Sequence, residues 1–518
     1  MWPDHWWLPC LAVAALALFL CCLDDLYISL VFLLRKRPFA WPADAELAHA
    51  PQRRIAVFVP CWREHEVIAH MLRHNLAAIL YGNYDIFVGV YPNDPETAEA
   101  VRSAIRDDAR VHLALCPHDG PTSKGDCLNW TYKAMVEYER RHGIDFEILI
   151  THDAEDLVHP ESLRLINWYS RDHQMIQVPV LPLFTGLGEW THGVYCDEFA
   201  EYQLKDIPVR QWLGGFLPSN GVGTGFERSA LESLRRRHHG RIFDPHCLTE
   251  DYDAGFRMFA SGFQQIFIPV RLRAGGPVAT REYFPRRCGA AVRQRSRWVA
   301  GIALQGWQRH GWRVPAAQCY WFWRDRKGLA ANLIAPFANA LLLAALSHAL
   351  LGHGWAIGAW ARFPPWISNL CVVSLAISIF QTGIRVHLCS RVYGCRFAAA
   401  VPLRMFWANL INFAATVQAL QQFLRARLEH RALVWRKTEH VYPSVTTGIA
   451  ARLPNRPRLG EILIGLEFLS AGEIEEALHR KGKGQRIGEY LVQIGKITLA
   501  DLNRALESQA GLSAAAGD

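Results

Sequence analysis

No two of the thirteen cysteines form a C-x-x-C pair, so neither a paired-cysteine zinc site nor a disulfide framework is indicated. The thiols are scattered, several within apolar runs, and read as reduced and mostly buried in a protein facing the cytoplasm. Charge is missing altogether from Trp6 to Leu23, a run of 18 residues. That run also lacks a positive start and a small-residue cleavage site, which argues against a removable signal peptide. Asp24-Asp25 follows, then Leu26 to Leu34, and the stretch ends at Arg35-Lys36-Arg37. Basic residues at that end place it in the cytoplasm with the N-terminus outside, so residues 1–37 are expected to form a membrane anchor.

The remaining bulk properties fit the same picture. A chain of 518 residues exceeds one ordinary domain, and two or three units are expected. Charged residues make up 20% and hydrophobic residues 51%, which blends very apolar stretches with an ordinary soluble composition. The net charge of +8 fits a cytoplasmic membrane face better than a nucleic-acid partner, because the basic residues lie near apolar segments. Gly328 to Gly352 and Phe363 to Ile384 are also long enough to span a bilayer, and the loop between them carries only Arg362. Met405 to Leu424 has Arg396 and Arg404 before it and Arg425 and Arg427 after it. Asn409, Asn412 and Thr416 share one face of that run, so it is expected to lie in the bilayer interface rather than to cross. Residues 328–425 thus form a block of transmembrane and interfacial helices. Three crossings leave both large soluble parts, and the membrane lipids' inner headgroups, on the cytoplasmic side.

Between the apolar blocks the pattern is that of an open α/β sheet. Arg54 to Pro60 reads as a buried strand and Glu64 to Ala78 as a helix, with further strands at Tyr84 to Tyr91 and Glu147 to Thr151. Such sheets bind ligands at the carboxyl ends of their strands. Acidic residues recur there: Asp94 after the second strand and Asp153-Ala154-Glu155-Asp156 after the third, with Thr249-Glu250-Asp251 farther on. Carboxylates at a strand end supply oxygen ligands to a hard cation, which a diphosphate leaving group needs. Taken singly these features have ordinary explanations. Asp251 would serve as a helix N-terminal acid, Thr249 as an N-cap, and Arg297-Trp298 as an interfacial anchor beside Arg286, Arg287, Arg293 and Arg295. His152 reads as a structural neighbour of the acidic cluster.

Taken in order, the pieces point further. Pro60-Cys61-Trp62-Arg63-Glu64, Asp94, Lys124-Gly125 with Leu128-Asn129, Asp153-Ala154-Glu155-Asp156, Thr249-Glu250-Asp251 and Gln294-x-x-Arg297-Trp298 together resemble family 2 glycosyltransferases of the membrane-synthase type. The resemblance covers residues 53–312. It implies a GT-A-type α/β transferase domain inserted between transmembrane helices, acting on a UDP-sugar donor and a glycan acceptor at a bacterial inner membrane. Glu64 and Asp94 would contact the uridine half of the donor, with Lys124 and Glu250 also at the donor and acceptor site. Asp153, with Glu155 or Asp156, would hold Mg²⁺ or Mn²⁺ on the diphosphate. Asp251 would be the general base for the acceptor hydroxyl. Gln294, Arg297 and Trp298 would close over the diphosphate and the acceptor sugar. Phe216 to Gly225 is glycine-rich and reads either as a turn or as an acceptor-site wall.

Two features lie beyond the transferase segment. Within residues 426–457, Trp435-Arg436-Lys437-Thr438-Glu439-His440 resembles the Trp-x-Lys-Thr-x-His element of the phage-adsorption protein B subgroup, which implies an outer-membrane export or receptor partner. After a linker at Pro454 to Pro457, residues 458–481 repeat as 486–509, with Arg458/Arg486, Gly460/Gly488, Glu461/Glu489, Leu463/Leu491, Ala477/Ala505 and Leu478/Leu506 identical. Residues 458–511 therefore read as a small helical repeat domain. Its paired openings, Arg458-Leu459-Gly460 and Arg486-Ile487-Gly488, together with Gln509, resemble the cyclic-di-GMP-binding N-terminal module of secretion and pilus ATPases. That implies cyclic-di-GMP as an allosteric activator. With few crossings in one chain, a homo-oligomer or separate export channel is also expected.

Overall fold

A computed structural model describes residues 7–35, 38–106, 108–273, 276–312, 314–351, 364–431 and 433, and part of the stretch 459–506. The chain divides into a unit formed by 1–270 and 279–442 and a second formed by 271–278 and 443–518.

Nine strands of the first unit lie among the described residues: β1 (Ile55–Pro60), β2 (Tyr84–Val90), β3 (Val111–Leu115), β4 (Ile148–Thr151), β5 (Met175–Gln177), β6 (Val180–Pro182), β7 (Thr224–Glu227), β8 (Gln265–Phe267) and the short Thr280–Glu282. Seven of them make one sheet in the order β3-β2-β1-β4-β7-β5-β8. β7 runs antiparallel to β4 and β5, and every other pairing in that sheet is parallel. Ile55 to Val59 of β1 are buried without a break. A parallel strand covered on both faces must read as a continuous apolar run, and this one does. The strands expected near 54, 84 and 147 are β1, β2 and β4.

The helix Lys124–His142 covers one face of this sheet. Ser123 caps it by accepting from the Asp126 amide at 3.2 Å, and Gly143, at φ +64°, closes it. Its Leu128, Tyr132 and Met135 pack among Phe58, Phe87, Phe146 and Leu149, each such side chain contributing about 1.5–3 kcal/mol of burial. At its N-terminal end, Asn129 holds the loop before Cys247 in place. Its amide donates to the Phe243 carbonyl at 2.7 Å and accepts from the Ile242 amide at 3.0 Å.

Two helices, Pro9–Leu34 and Pro365–Tyr393, are long and apolar enough to cross a membrane. They lie against each other, with Ser29 donating to Gln381 at 2.7 Å. Gly328–Leu351 is a further continuous helix, while the expected loop around Arg362 lies outside the described residues. Asp24 and Asp25, which interrupt the first apolar run, are matched by cations: Lys327 lies 2.7 and 2.6 Å from them, and Arg324 and Tyr320 also donate to Asp24. Beyond them Ile28, Val31 and Phe32 enter a core with Val209, Phe216, Tyr252, Phe256, Trp321 and Phe322.

Val401–Leu428 is one 28-residue helix. Two residues of its polar face, expected at a bilayer surface, bond to protein. Asn412 bonds to Glu198 and Arg295, and Thr416 accepts from Asn332 at 3.0 Å. All thirteen cysteines are unpaired.

In the second unit the core comprises Leu463, Leu469, Ala477, Leu491, Ile497, Leu502 and Ala505. Leu463/Leu491, Leu469/Ile497 and Ala477/Ala505 are equivalent positions of the repeat, so both halves supply the core in register. Gly488 is required by packing: a Cβ there would sit 2.6 Å from Leu502 and 2.7 Å from Leu459. The glycine expected to admit a ligand therefore also seats one repeat half on the other. Arg458, Gly460, Arg486 and Gln509 lie outside the described residues, as do Trp435 to His440 and the linker Pro454 to Pro457.

Candidate functional site

The carboxyl ends of β1, β2 and β4 open into one cleft. Its lining includes Glu64, Lys124, Asp153, Glu155, Glu250, Asp251, Gln294, Arg297 and Trp298. The antiparallel β7 explains how the glycine-rich loop joins them. Because Thr224 opposes Thr151, the chain entering β7 arrives beside the acidic loop that leaves β4, and Asn220 and Val222 reach the cleft.

Lys124 is the central cation. Its Nζ lies 2.5 Å from Asp153 Oδ1 and donates to the Gly221 carbonyl at 3.3 Å. Burial works against its charge, but Asp153, Glu250 and Asp251 outweigh burial and hold its pKa above the ordinary lysine range. Burial, reinforced by Asp251, pushes Glu250 up to about 8. Burial also raises Asp251, opposed by Lys124 and by the Tyr252 amide, which donates to Asp251 Oδ1 at 2.7 Å. Gly221 takes φ +78°, and a Cβ there would stand 2.5 Å from Asp251 Oδ2. Only glycine combines that backbone with room for the carboxylate. Thr249 precedes the helix Glu250–Ala260, which carries Asp251, without making a side-chain cap. Its hydroxyl faces Gly301, where a Cβ would lie 2.5 Å away.

Gln294, Arg297 and Trp298 come from the helix Cys288–Trp298, which continues as a π-helical turn over Val299–Gln305. Gln305 accepts from the Leu248 amide at 2.9 Å, so this segment is braced on the loop leading to Asp251. Gln294 Oε1 and Arg297 Nε are buried with no protein hydrogen-bond partner, and both residues line the cleft. Trp298 packs in an aromatic cluster with Tyr195, Phe199 and Phe284.

Two expected residues stand apart from the lining. Asp94 caps the helix Pro95–Ile105 and accepts from the Arg63 amide at 2.5 Å. Arg63 sits at φ +55°, and the next amide, of Glu64, donates to Thr97 at 2.9 Å. Asp94 thus pins the turn that carries Glu64 into the cleft instead of lining it. Asp156 is wholly buried, 2.7 Å from His152 Nδ1, and accepts from the Asp153 amide at 3.0 Å. Its accessible role is to shape the acidic loop, which leaves Asp153 and Glu155 as the carboxylates of that loop on the cleft.

Glu282 escaped the sequence reading. It ends the short strand Thr280–Glu282, which pairs in parallel with β6, and it lines the cleft. Burial, reinforced by Asp156, Glu155 and Asp153, pushes its carboxyl well above the usual range. The only sequence signal was one acid within Arg281-Glu282-Tyr283. Tyr91 and Trp62 were also missed as a pair; they meet edge to face at 5.4 Å on the cleft wall. Among the described residues no three His, Cys, Asp or Glu side chains form a ready-made metal cage. The donor set is nonetheless suited to a hard cation: Asp153 and Glu155 supply oxygen, and the field that raises Glu282 is one a cation would relieve.

A sheet of this order, with a cleft of carboxylates and basic groups at its strand ends, defines a GT-A-type nucleotide-sugar transferase fold. Residues 51–301 match the model of the Glycosyltransferase like family 2, and the chain belongs to that family. More narrowly, it is 35% identical to the Bacteriophage adsorption protein B of Escherichia coli strain K12, over 98% of this chain and 72% of that protein. The Bacteriophage N4 adsorption protein B of Escherichia coli O157:H7 matches with the same identity and coverage. Among solved structures, the mannosyltransferase PcManGT of Pyrobaculum calidifontis, in complex with GDP-Man and Mn²⁺, is 19% identical. It covers 71% of this chain and 98% of that one with a TM-score of 0.47. Glucosyl-3-phosphoglycerate synthase of Mycobacterium tuberculosis, with Mn²⁺ and UDP, is 16% identical, covering 45% and 76%, with a TM-score of 0.28.

Proposed function

We propose that this protein is an inverting, metal-dependent glycosyltransferase of a bacterial inner membrane, transferring sugar from a UDP-sugar to a growing surface glycan on the cytoplasmic face. The observation that carries the reading is the convergence of Lys124, Asp153, Glu250, Asp251, Gln294, Arg297 and Trp298 on one cleft. Asp153 and Glu155 would hold Mg²⁺ or Mn²⁺, which supplies charge neutralisation at the departing diphosphate. Arg297 and Gln294, with hydrogen-bonding atoms left unmet by protein, bind the donor's phosphate oxygens. Trp298 offers a flat face to the acceptor sugar. Asp251 takes the proton of the acceptor hydroxyl as that oxygen attacks the anomeric carbon, inverting it. Its burial makes it a stronger base than an exposed aspartate, and Lys124 opposes that rise. Glu250, held near 8, remains largely protonated beside it and so does not compete for that proton.

The C-terminal repeat is read as a cyclic-di-GMP-binding activator module, supported by its paired Arg-Leu/Ile-Gly openings and its two-fold core. The likeness to phage-adsorption proteins supports an outer-membrane partner that exports or displays the product. The two apolar helices support a multi-pass placement. Purified protein in lipid, tested with a panel of UDP-sugars, should turn over one of them, and more quickly with cyclic-di-GMP. Asp251→Asn should lower turnover by about 10²–10⁴-fold while UDP still binds. Unchanged turnover in that variant defeats the base assignment, and a single added sugar in place of a polymer ladder assigns the protein to lipid-carrier transfer.

A further inference from the structure

The helix that carries Gln294, Arg297 and Trp298 has a second face, and that face is tied to the membrane-side helix Val401–Leu428. Gln294, Arg297 and Trp298 are three and four residues apart and share one side of the turn, whereas Arg295 points elsewhere. Arg295 is only 6% exposed. Its Nη1 donates to Glu198 Oε2 at 2.7 Å and to Asn412 Oδ1 at 2.6 Å. Asn412 in turn donates to Glu198 Oε1 at 3.3 Å, closing a three-cornered network. The guanidinium also lies 4.3 Å from the Tyr195 ring, and Tyr195 stands edge-on to Trp298 at 6.1 Å. One residue therefore joins the transferase helix Trp190–Glu201, the cleft helix and the helix Val401–Leu428.

That last helix is itself anchored. Arg404 is buried and makes two bonds to Asp197, at 2.7 and 2.6 Å. Gly193 leaves the space: a Cβ there would meet Arg404 Cδ at 2.8 Å. A buried charged pair with such geometry fixes register between two helices. From Leu428 the chain leads on to the second unit, which begins again at Pro443.

We propose that Arg295 is a positioning residue: through Glu198 and Asn412 it sets how far Arg297 and Trp298 lean over the cleft, and so makes donor binding depend on the placement of Val401–Leu428. The inference rests on the transferase reading, because it concerns how the same cleft is tuned. Arg295 touches no donor atom in this scheme and acts only through its neighbours on the helix.

The test uses the full chain in lipid nanodiscs. UDP with Mn²⁺ is titrated by calorimetry against the wild type, Arg295→Met, Arg295→Lys and Asn412→Leu. Weakening of about tenfold or more is expected for Arg295→Met and Asn412→Leu, with partial recovery in Arg295→Lys, which keeps one charged bond. Arg295→Met added to Arg297→Ala should cost nothing further, since the effect runs through Arg297. A readout that needs no donor is the labelling of Trp298→Cys by a water-soluble maleimide, followed by peptide mass spectrometry. Its rate should change several-fold when Asn412→Leu is added. Wild-type-like UDP affinity in both variants, or additivity with Arg297→Ala, overturns the proposal. If the wild type itself ignores UDP, the transferase reading fails and the labelling rate alone decides: an unchanged rate overturns the positioning role as well. Asn412→Leu keeps the test valid should Arg295→Met fail to fold.

Discussion

Charged side chains are buried in two regions of this molecule, and they are arranged in opposite ways. Along the flank beside the apolar helices every acid has a nearby cation: Asp197 with Arg404, Glu201 with Lys205 and Arg385, Asp325 with Arg210, and Asp24 and Asp25 with Arg324 and Lys327. In the cleft the acids outnumber the cations. Asp153, Glu155, Glu250, Asp251 and Glu282 face Lys124 and Arg297. Balanced pairs hold helices in register. Burial raises the pKa of Glu250, Asp251 and Glu282, neighbouring acids reinforce it at Glu250 and Glu282, and the excess of acids leaves a field that a cation would satisfy. The contrast separates the part of the sequence that builds from the part proposed to react.

The largest break in this comparison is expected on the balanced side. Arg404→Leu leaves Asp197 buried without its bonded cation, held only by the Cys389 thiol, which should destabilise the fold by about 3–5 kcal/mol, whereas Asp197→Leu with Arg404→Leu should recover most of that loss. Chemical denaturation of the two variants in detergent measures both. Next comes the strained floor of the cleft. Gly221→Ala places a Cβ in a left-handed turn and against Asp251, with an expected cost of about 1–3 kcal/mol. Its turnover should fall more than its melting temperature suggests, because the displaced group is the proposed base.

The smallest effect concerns protons. Glu250 has its folded pKa raised from 4.5 to about 8. Its contribution to stability is therefore complete below pH 4.5 and is lost as pH rises through about 8. Metal-free wild type should melt progressively lower across that window, and Glu250→Gln should flatten the trend by a few degrees in differential scanning fluorimetry. A steeper fall in the variant would place the unbalanced charge elsewhere.

Much of this was legible in the residues. Continuous apolar runs announced β1, β2 and β4 because parallel strands bury both faces. The ordered acids marked the cleft because strand ends carry them there. β5, β7 and β8 were not visible, since three- or four-residue strands such as Thr224–Glu227 carry too few side chains to show a period. Asp94, expected at the uridine, and Asp156, one of two candidate carboxylates for the metal, do not line the cleft, and sequence shows an acid's position but not its partners. Here the Arg63 amide and His152 already claim them. Glu282 was hidden for the converse reason, as a lone acid without a motif. On the polar face of Val401–Leu428, Asn412 and Thr416 bond to protein, a partner the sequence did not show because amphipathicity reports that a face is wet or bonded without saying to what.

The first helix, long and apolar enough to cross a membrane, also serves the core. Residues 26–34 contribute Ile28, Val31 and Phe32 to the packing around Phe216 and Tyr252, which lead into the glycine-rich loop and follow the proposed base. Shearing off the N-terminus to obtain a tractable soluble enzyme would therefore strip the support from beneath the chemistry. Any shortened version has to begin before Asp24, or carry a substitute wedge in that groove.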